Sequence, residues 1–411
     1  MVDQALRAPA DHEPVATATE SRARVGVSCS TLLIALLIGV RVAAVVLALT
    51  TPGGAVRTSA YGVDARRYHQ IAEHAGTPYR DFQVEFPPVT LGFIELVNGS
   101  SHGTTTDRLG IASLALDLVV VGLLAWGWGR RVVLAYLVLG LPFLLLPFVY
   151  FRADLLSVAL ALGGLALVRR DRERAGGVLL ALAVFAKLWP LALLPVLVYQ
   201  RRWRALAASV VTGAIGGVAW IAWTGTSGIM QVLTFRHAHG WQIESMVGGI
   251  LRLFVNDPTR VESGAVRVGT APWWASPLLG IVLVASVAWL WRRAERCRRL
   301  GHEVGDGVVA LTAVGIFVLC SPLFSPQYLV WFVPFAAICW ATGSRSFPAL
   351  VGIVIVLTML LVAGYSDLTD GRLAAELLLV ARNFAVLAVV AAGFVATRLV
   401  PQSSPDDSVP A

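Results

Sequence analysis

Long apolar runs recur along the chain, each close to the ~20 residues that a helix needs to cross a hydrocarbon core, and short arginine-bearing stretches separate them. They predict helical spans near 31–50, 108–128, 132–149, 154–168, 175–187, 188–199, 205–223, 273–291, 306–320, 327–342, 347–363 and 374–397. Two runs need a break to be read this way. Ala175 to Tyr199 has basic clusters at both ends, so a single span would strand one of them on the wrong side. Lys187-Leu188-Trp189-Pro190 supplies a turn in its middle, because proline lacks a backbone donor and crowds the preceding turn. By the same logic Phe151-Arg152-Ala153-Asp154 marks the turn after 132–149.

Composition agrees with this reading. Hydrophobic residues make up 57% of the 411 and charged residues 14%, too few charges to coat a soluble core of this length. The expected class is an all-α polytopic membrane protein with about twelve transmembrane helices and large external loops. The net charge of +8 lies in dispersed arginine clusters rather than on one basic face, which excludes a nucleic-acid surface. Arginine-rich short loops stay cytoplasmic, so Arg22/Arg24, Arg130/Arg131, 169–174, 201–204, 292–299, Arg345 and Arg398 all face inward, as do both termini. Residues 1–28 and 399–411 are polar and are expected to be disordered cytoplasmic tails around one membrane domain at 29–398. The four cysteines fit neither a metal knuckle nor a disulfide framework.

The threading leaves two long external loops, 51–106 and 224–272, and short turns at Arg152, Lys187, 321–327 and 365–372. The unusual chemistry falls there. A short interfacial helix is predicted from Asp64 to His74, with Ala65, Tyr68, Ile71, Ala72 and Ala75 as its apolar stripe. Asp64 is either the cap of that helix or a general base that takes a proton from an attacking hydroxyl. In Pro78-Tyr79-Arg80-Asp81-Phe82-Gln83-Val84-Glu85-Phe86-Pro87-Pro88, a rigid extended loop, Arg80 braces Asp81 or Glu85, or those acids bind acceptor hydroxyls. Arg152 and Asp154 flank a turn, where a salt bridge between them would tie two helices. Lys187, the sole lysine, is costly at the tip of an apolar hairpin unless it snorkels or meets an anion. Arg236, His237 and His239 point to phosphate or sugar contact, while Glu244 and Ser245 suit helix capping as well. The i, i+2 histidines lack a third ligand nearby in sequence, so neither metal nor cofactor is expected. Gln327, in a proline-bracketed turn, is a candidate hydrogen-bonding group. Arg41, in mid-span, faces protein or water, or pairs with a carboxylate.

In this order, Asp64 to Tyr68, the Pro78–Pro88 stretch, Arg152-Ala153-Asp154, Lys187-Leu188-Trp189-Pro190, Gln242-Ile243-Glu244-Ser245 and Ser325-Pro326-Gln327-Tyr328, the chain resembles glycosyltransferase family 87 over roughly residues 31–397. That family has the multi-span GT-C fold and includes actinobacterial mannosyltransferases and an arabinofuranosyltransferase. The resemblance implies inverting transfer of a hexose, mannose first, from a polyprenyl-phosphate donor to a lipid-linked glycan acceptor at the outer face of a bacterial inner membrane. It implies Asp64 as base, with Lys187, Arg236, His237 and Arg152 toward the donor phosphate. Tyr68, Arg80, Asp81, Glu85, Glu244 and Gln327 would line the acceptor or sugar. The chain departs from the family's mannosyltransferases at Ser325-Pro326-Gln327-Tyr328, where those carry a Ser-His-His type motif; Lys187, Arg236 or His237 would then substitute. The rival reading, a transporter or lipid flippase, predicts paired repeats and discontinuous helices meeting at the bilayer midplane.

Overall fold

The computed structural model describes residues 29–51, 63–144, 147–255, 258–302 and 304–398; the expected tails at 1–28 and 399–411 lie outside them. The described chain is helical almost throughout. In order it forms α1 (Cys29–Thr50), α2 (Val63–Glu73), α3 (Pro88–Val97), α4 (His102–Trp128), α5 (Arg130–Leu139), α6 (Asp154–Arg169), α7 (Glu173–Ala186), α8 (Leu194–Tyr199), α9 (Trp203–Thr224) and α10 (Ser227–Leu233). There follow β1 (Trp241–Gln242), α11 (Met246–Val255), β2 (Arg260–Glu262), β3 (Ala265–Val268), α12 (Ala275–Arg299), α13 (Asp306–Leu319), α14 (Val333–Ala341), α15 (Ser346–Ala363), α16 (Tyr365–Thr369) and α17 (Leu373–Ala396). Four 3-10 segments, Leu141–Leu144, Pro147–Phe151, Trp189–Leu193 and Pro326–Trp331, sit where the predicted spans are broken.

Among the described residues six helices, α1, α4, α9, α12, α15 and α17, are long and apolar enough to cross a membrane. The other predicted spans are shorter helices or helix and 3-10 pairs. The protein is therefore an all-α polytopic membrane protein. The hairpin at Lys187 has the predicted cause: α7 stops at Ala186, Lys187 is extended at φ −158°, ψ 148°, and Trp189-Pro190 restarts the chain as a 3-10 turn. Small residues let the helices close up, as expected where lipid gives no hydrophobic drive between them. A Cβ on Gly177 would lie 2.2 Å from the Ala205 carbonyl oxygen, and one on Gly176 would lie 2.6 Å from that of Gly164.

The bundle has two chemically distinct ends. At one, Arg130 reaches Thr31, Arg169 reaches the Gly127 carbonyl and Asp306, Arg202 pairs with Asp171 and Glu173, Arg201 with Glu295, and Arg293 with Thr397. The turns that carry the arginine clusters are thus joined to one another there. The opposite end holds α2, α3, α10, α11, the strands β1 to β3 and the turns at Arg152, Lys187 and Ser325.

Both long loops are more structured than expected. The double proline does not merely close a loop: Pro87 caps α3 and Pro88 occupies its first turn, where a missing N–H costs nothing. The stretch before it is a tight turn rather than an extended brace, with Tyr79 at φ 67° and its N–H on the Phe82 carbonyl at 2.9 Å. The second loop folds into α10, α11 and a three-stranded antiparallel sheet of order β1-β3-β2, in which Gln242 pairs with Arg267.

Candidate functional site

The site is assembled on α2. Asp64 and Tyr68 are four residues apart and so share one face of that helix. That face meets the turn before α6: the Arg152 guanidinium donates to the Asp64 carboxylate, and the Ala153 N–H donates to the Tyr68 hydroxyl at 3.2 Å. Ser113 on α4 holds the Arg152 carbonyl from behind at 3.2 Å. Asp64 occupies the first turn of its helix, as a cap-like residue would, but its carboxylate is committed to Arg152.

Asp154 faces the other way. Lys187 Nζ lies 2.7 Å from its Oδ1, and Trp331 Nε1 donates to the same oxygen at 3.0 Å. The expected Arg152–Asp154 bridge is replaced by a partner exchange, Arg152 with Asp64 and Lys187 with Asp154, because the hairpin at Lys187 brings α7 against the start of α6. Lys187 also stands 4.9 Å from the centre of the Tyr328 ring and 5.4 Å from that of Trp331. Tyr328 and Trp331 stack at 4.1 Å, and Trp189 stacks on Trp331 at 5.4 Å. The Ser325-Pro326-Gln327-Tyr328 turn therefore places an aromatic floor under the lysine, with Gln327 buried in it.

Glu85 is held by Arg67, at 3.2 and 3.0 Å, and by Arg236 at 3.4 Å, rather than by Arg80. Arg80 and Asp81 are exposed, and Asp81 only caps the Thr77 N–H. Arg236 sits in a left-handed turn, with Phe235, Arg236 and His237 at φ 47°, 60° and 59°. Such residues cost on the order of 1–2 kcal/mol each, and bonds from the Arg236 N–H to the Gln231 carbonyl at 2.7 Å and from the Ala238 N–H to the Thr234 carbonyl at 3.1 Å hold them. His237 is exposed, its backbone N–H on Thr234, and His239 is exposed beside Glu262.

Glu244 is buried, and its carboxylate accepts from Gln242 Nε2 at 2.5 Å. Ser245, not Glu244, caps α11, accepting the Gly248 N–H at 3.0 Å. Burial pushes the Glu244 carboxyl up to about 7, against the pull of Arg382, Gln242 and Arg152. Burial likewise raises the Asp64 carboxyl above the usual carboxylate range, more than Arg152 lowers it; Asp154 adds to the rise and Lys187 opposes it. Asp64, Tyr68, Glu85, Arg152, Asp154, Lys187, Glu244 and Tyr328 thus act on one another electrostatically, whereas Arg80, Asp81 and His237 stand apart on the surface.

The sequence profile of glycosyltransferase family 87 matches residues 108–322, just over half the chain. This chain belongs to glycosyltransferase family 87. No curated protein matches it. The segment that identifies the glycosyltransferase contains Arg152, Asp154, Lys187, Arg236 and Glu244 but stops short of Gln327 and Tyr328. Asp64 and Glu85 precede it and join it through their ion pairs with Arg152 and Arg236, and Tyr68 through its hydrogen bond from the Ala153 N–H.

Sequence reading missed Asp154, Trp331, Arg67 and Arg382 as members of the site. Asp154 was read only as the partner of Arg152 in a salt bridge across their turn. The other three carry no local signal, since their partners lie 18 to 177 residues away in the chain.

Proposed function

We propose that this membrane glycosyltransferase moves a hexose, mannose by resemblance, from a polyprenyl-phosphate donor to a hydroxyl of a lipid-linked glycan, with Asp64 as general base. The observation that carries the reading is accessibility. Of the four carboxylates in the cluster, Glu85 and Asp154 keep 5% and 3% of their side-chain surface and Glu244 is 5% exposed as a residue, while Asp64 keeps 27%. Only Asp64 is open to an incoming hydroxyl, and its raised pKa makes it a better proton acceptor than an ordinary aspartate.

The reaction is a single displacement. The acceptor oxygen attacks the anomeric carbon as its proton passes to Asp64, the bond from that carbon to the phosphate oxygen breaks, and the configuration inverts. The leaving group is a phosphate monoester, whose charge fixed cations can hold. Lys187 and Arg152 are the two set closest to Asp64; Arg236, engaged with Glu85, stands next, and exposed His237 at the rim. Tyr68, Glu85, Glu244 and Gln327 line the acceptor or sugar side, and Arg80 and Asp81 its outer edge. Lys187 over Tyr328 supports its substitution for the family's turn histidine.

One feature supports an extracytoplasmic site in a bacterial inner membrane. The arginine-rich turns gather at the end opposite Asp64, and such turns are retained in the cytoplasm. The single domain at 29–398 then opens outward, between its lipid substrates and the lipid bilayer.

Purified protein given radiolabelled polyprenyl-phosphate mannose and a panel of lipid acceptors should label one product of inverted anomeric configuration. Asp64→Asn, folded and inserted as wild type, should lose at least about 100-fold in rate. Undiminished turnover by Asp64→Asn would remove the base assignment, and an unlabelled panel would remove the donor.

A further inference from the structure

Arg382 lies on α17, about 14 Å along the helix from Leu373, and is 1% exposed. Its Nη2 donates to the Glu244 carbonyl oxygen at 2.9 Å, and its guanidinium carbon lies 3.8 Å from the centre of the Phe324 ring. Nε and Nη1 meet no acceptor. Glu244 is the carboxylate that acts on it, but the Glu244 carboxylate is bonded to Gln242 at 2.5 Å and gives Arg382 only its backbone. Arg252 on the neighbouring α11, by contrast, has a carboxylate, Glu376, at 3.0 Å.

A cation buried with no carboxylate in direct contact is unfavourable, and an aromatic face offsets only part of the lost hydration. The surroundings nevertheless fix it in place. Gln242 accepts the Phe324 N–H at 2.8 Å and donates to Ser325 Oγ at 3.0 Å, so the turn carrying Phe324 is tied to the strand leading to Glu244. Asn383 donates to the Ser245 carbonyl at 3.2 Å and anchors the next residue of α17. This is a rigidly held guanidinium with two idle donors, and Glu244 beside it also feels Arg152 of the transfer site.

We infer that Arg382 binds the phosphate of a lipid-linked phosphate substrate, through Nε and Nη1, beside Glu244. The inference rests on the proposed reaction and adds a residue to it. A guanidinium suits the task because it stays charged when buried and offers fixed donors to phosphate oxygens. A phosphate arriving there meets a Glu244 carboxyl already pushed up to about 7 by burial, and protonation of that carboxyl relieves the conflict of like charges.

The test uses the full-length protein in lipid nanodiscs with polyprenyl phosphate as probe and inorganic phosphate as the second arm. Wild type should bind polyprenyl phosphate. Arg382→Gln, which keeps a donor toward the Glu244 carbonyl, should bind it roughly tenfold or more weakly, with Arg382→Lys in between. Equal binding by Arg382→Gln and wild type would overturn the inference while leaving the donor assignment standing. Failure of wild type to bind would overturn both, and equal competition by inorganic phosphate would overturn the lipid-linked source. Should Arg382→Gln not fold, a structure of wild type with polyprenyl phosphate decides: phosphate within hydrogen-bond distance of Arg382 supports the inference, and phosphate held elsewhere refutes it.

Discussion

At the scale of residues, the site pairs three carboxylates with cations, Asp64 with Arg152, Asp154 with Lys187 and Glu85 with Arg67 and Arg236, and leaves the Glu244 carboxylate on Gln242. Asp64 titrates above the ordinary range because burial outweighs Arg152. Removing Arg152 takes away the largest charge opposing burial and leaves only Lys187 against it, so in Arg152→Gln the Asp64 pKa rises further. A base works only when deprotonated, so the acidic limb of kcat/KM should move to higher pH in Arg152→Gln, with a loss of roughly tenfold to a hundredfold near neutrality. A pH-rate profile measures this, and a limb that stays put would separate Arg152 from Asp64. Lys187→Met should destabilise the protein by about 3–5 kcal/mol, because it strands the buried Asp154 carboxylate. Lys187→Met with Asp154→Asn should regain most of that stability in a melting experiment without regaining transfer. Asp64, Glu85, Arg236 and Glu244 were legible in the sequence as polar groups of the two external loops, and Lys187 as a costly charge at the tip of an apolar hairpin. Their pairings were not: Arg152 has Asp154 two positions away yet bonds Asp64, 88 positions away, and sequence proximity favours the wrong acid.

At the scale of elements, the breaks carry the function. The hairpin at Lys187 and the 3-10 turns after Leu139 and before Val333 bring side chains to the site end that uninterrupted helices would have kept in lipid. The Lys187 and Arg152 breaks were legible, since one has a proline three residues on and both divide runs bounded by basic clusters. Helix α3 was not, because Pro87-Pro88 signals a loop as well as a helix start, and only Pro87 at φ −66°, ψ 165° distinguishes the cap. The small sheet is equally silent, its strands being two to four residues long. Close helix contacts in the α6–α7–α9 layer depend on glycine. Gly177→Leu should force α7 and α9 apart and lower stability by about 1–3 kcal/mol or more. Thermal melting in detergent would register it, and an unchanged melting temperature would show that the two helices are not in contact.

At the scale of the whole molecule, the described chain passes between an arginine-rich end and a site end. The exposed tryptophans mark the same two levels: Trp203 and Trp223 on α9 are 56% and 42% exposed, and twenty residues of helix separate them by about 30 Å, the thickness of a hydrocarbon core. Arginine spacing made this polarity readable before any contact was known, because a basic cluster at each even-numbered turn leaves few ways to thread the apolar runs. The measurement that tests the account most directly is therefore sidedness. Cys29 lies at the start of α1 and is exposed, Ser346 is exposed at the start of α15, and Ser100 is exposed between α3 and α4. In single-cysteine proteins expressed in intact cells, a membrane-impermeant thiol reagent should label Ser100→Cys and leave Cys29 and Ser346→Cys unlabelled until the membrane is opened. Labelling of Cys29 or Ser346→Cys from outside, with Ser100→Cys protected, would invert the molecule and contradict an outward-facing Asp64.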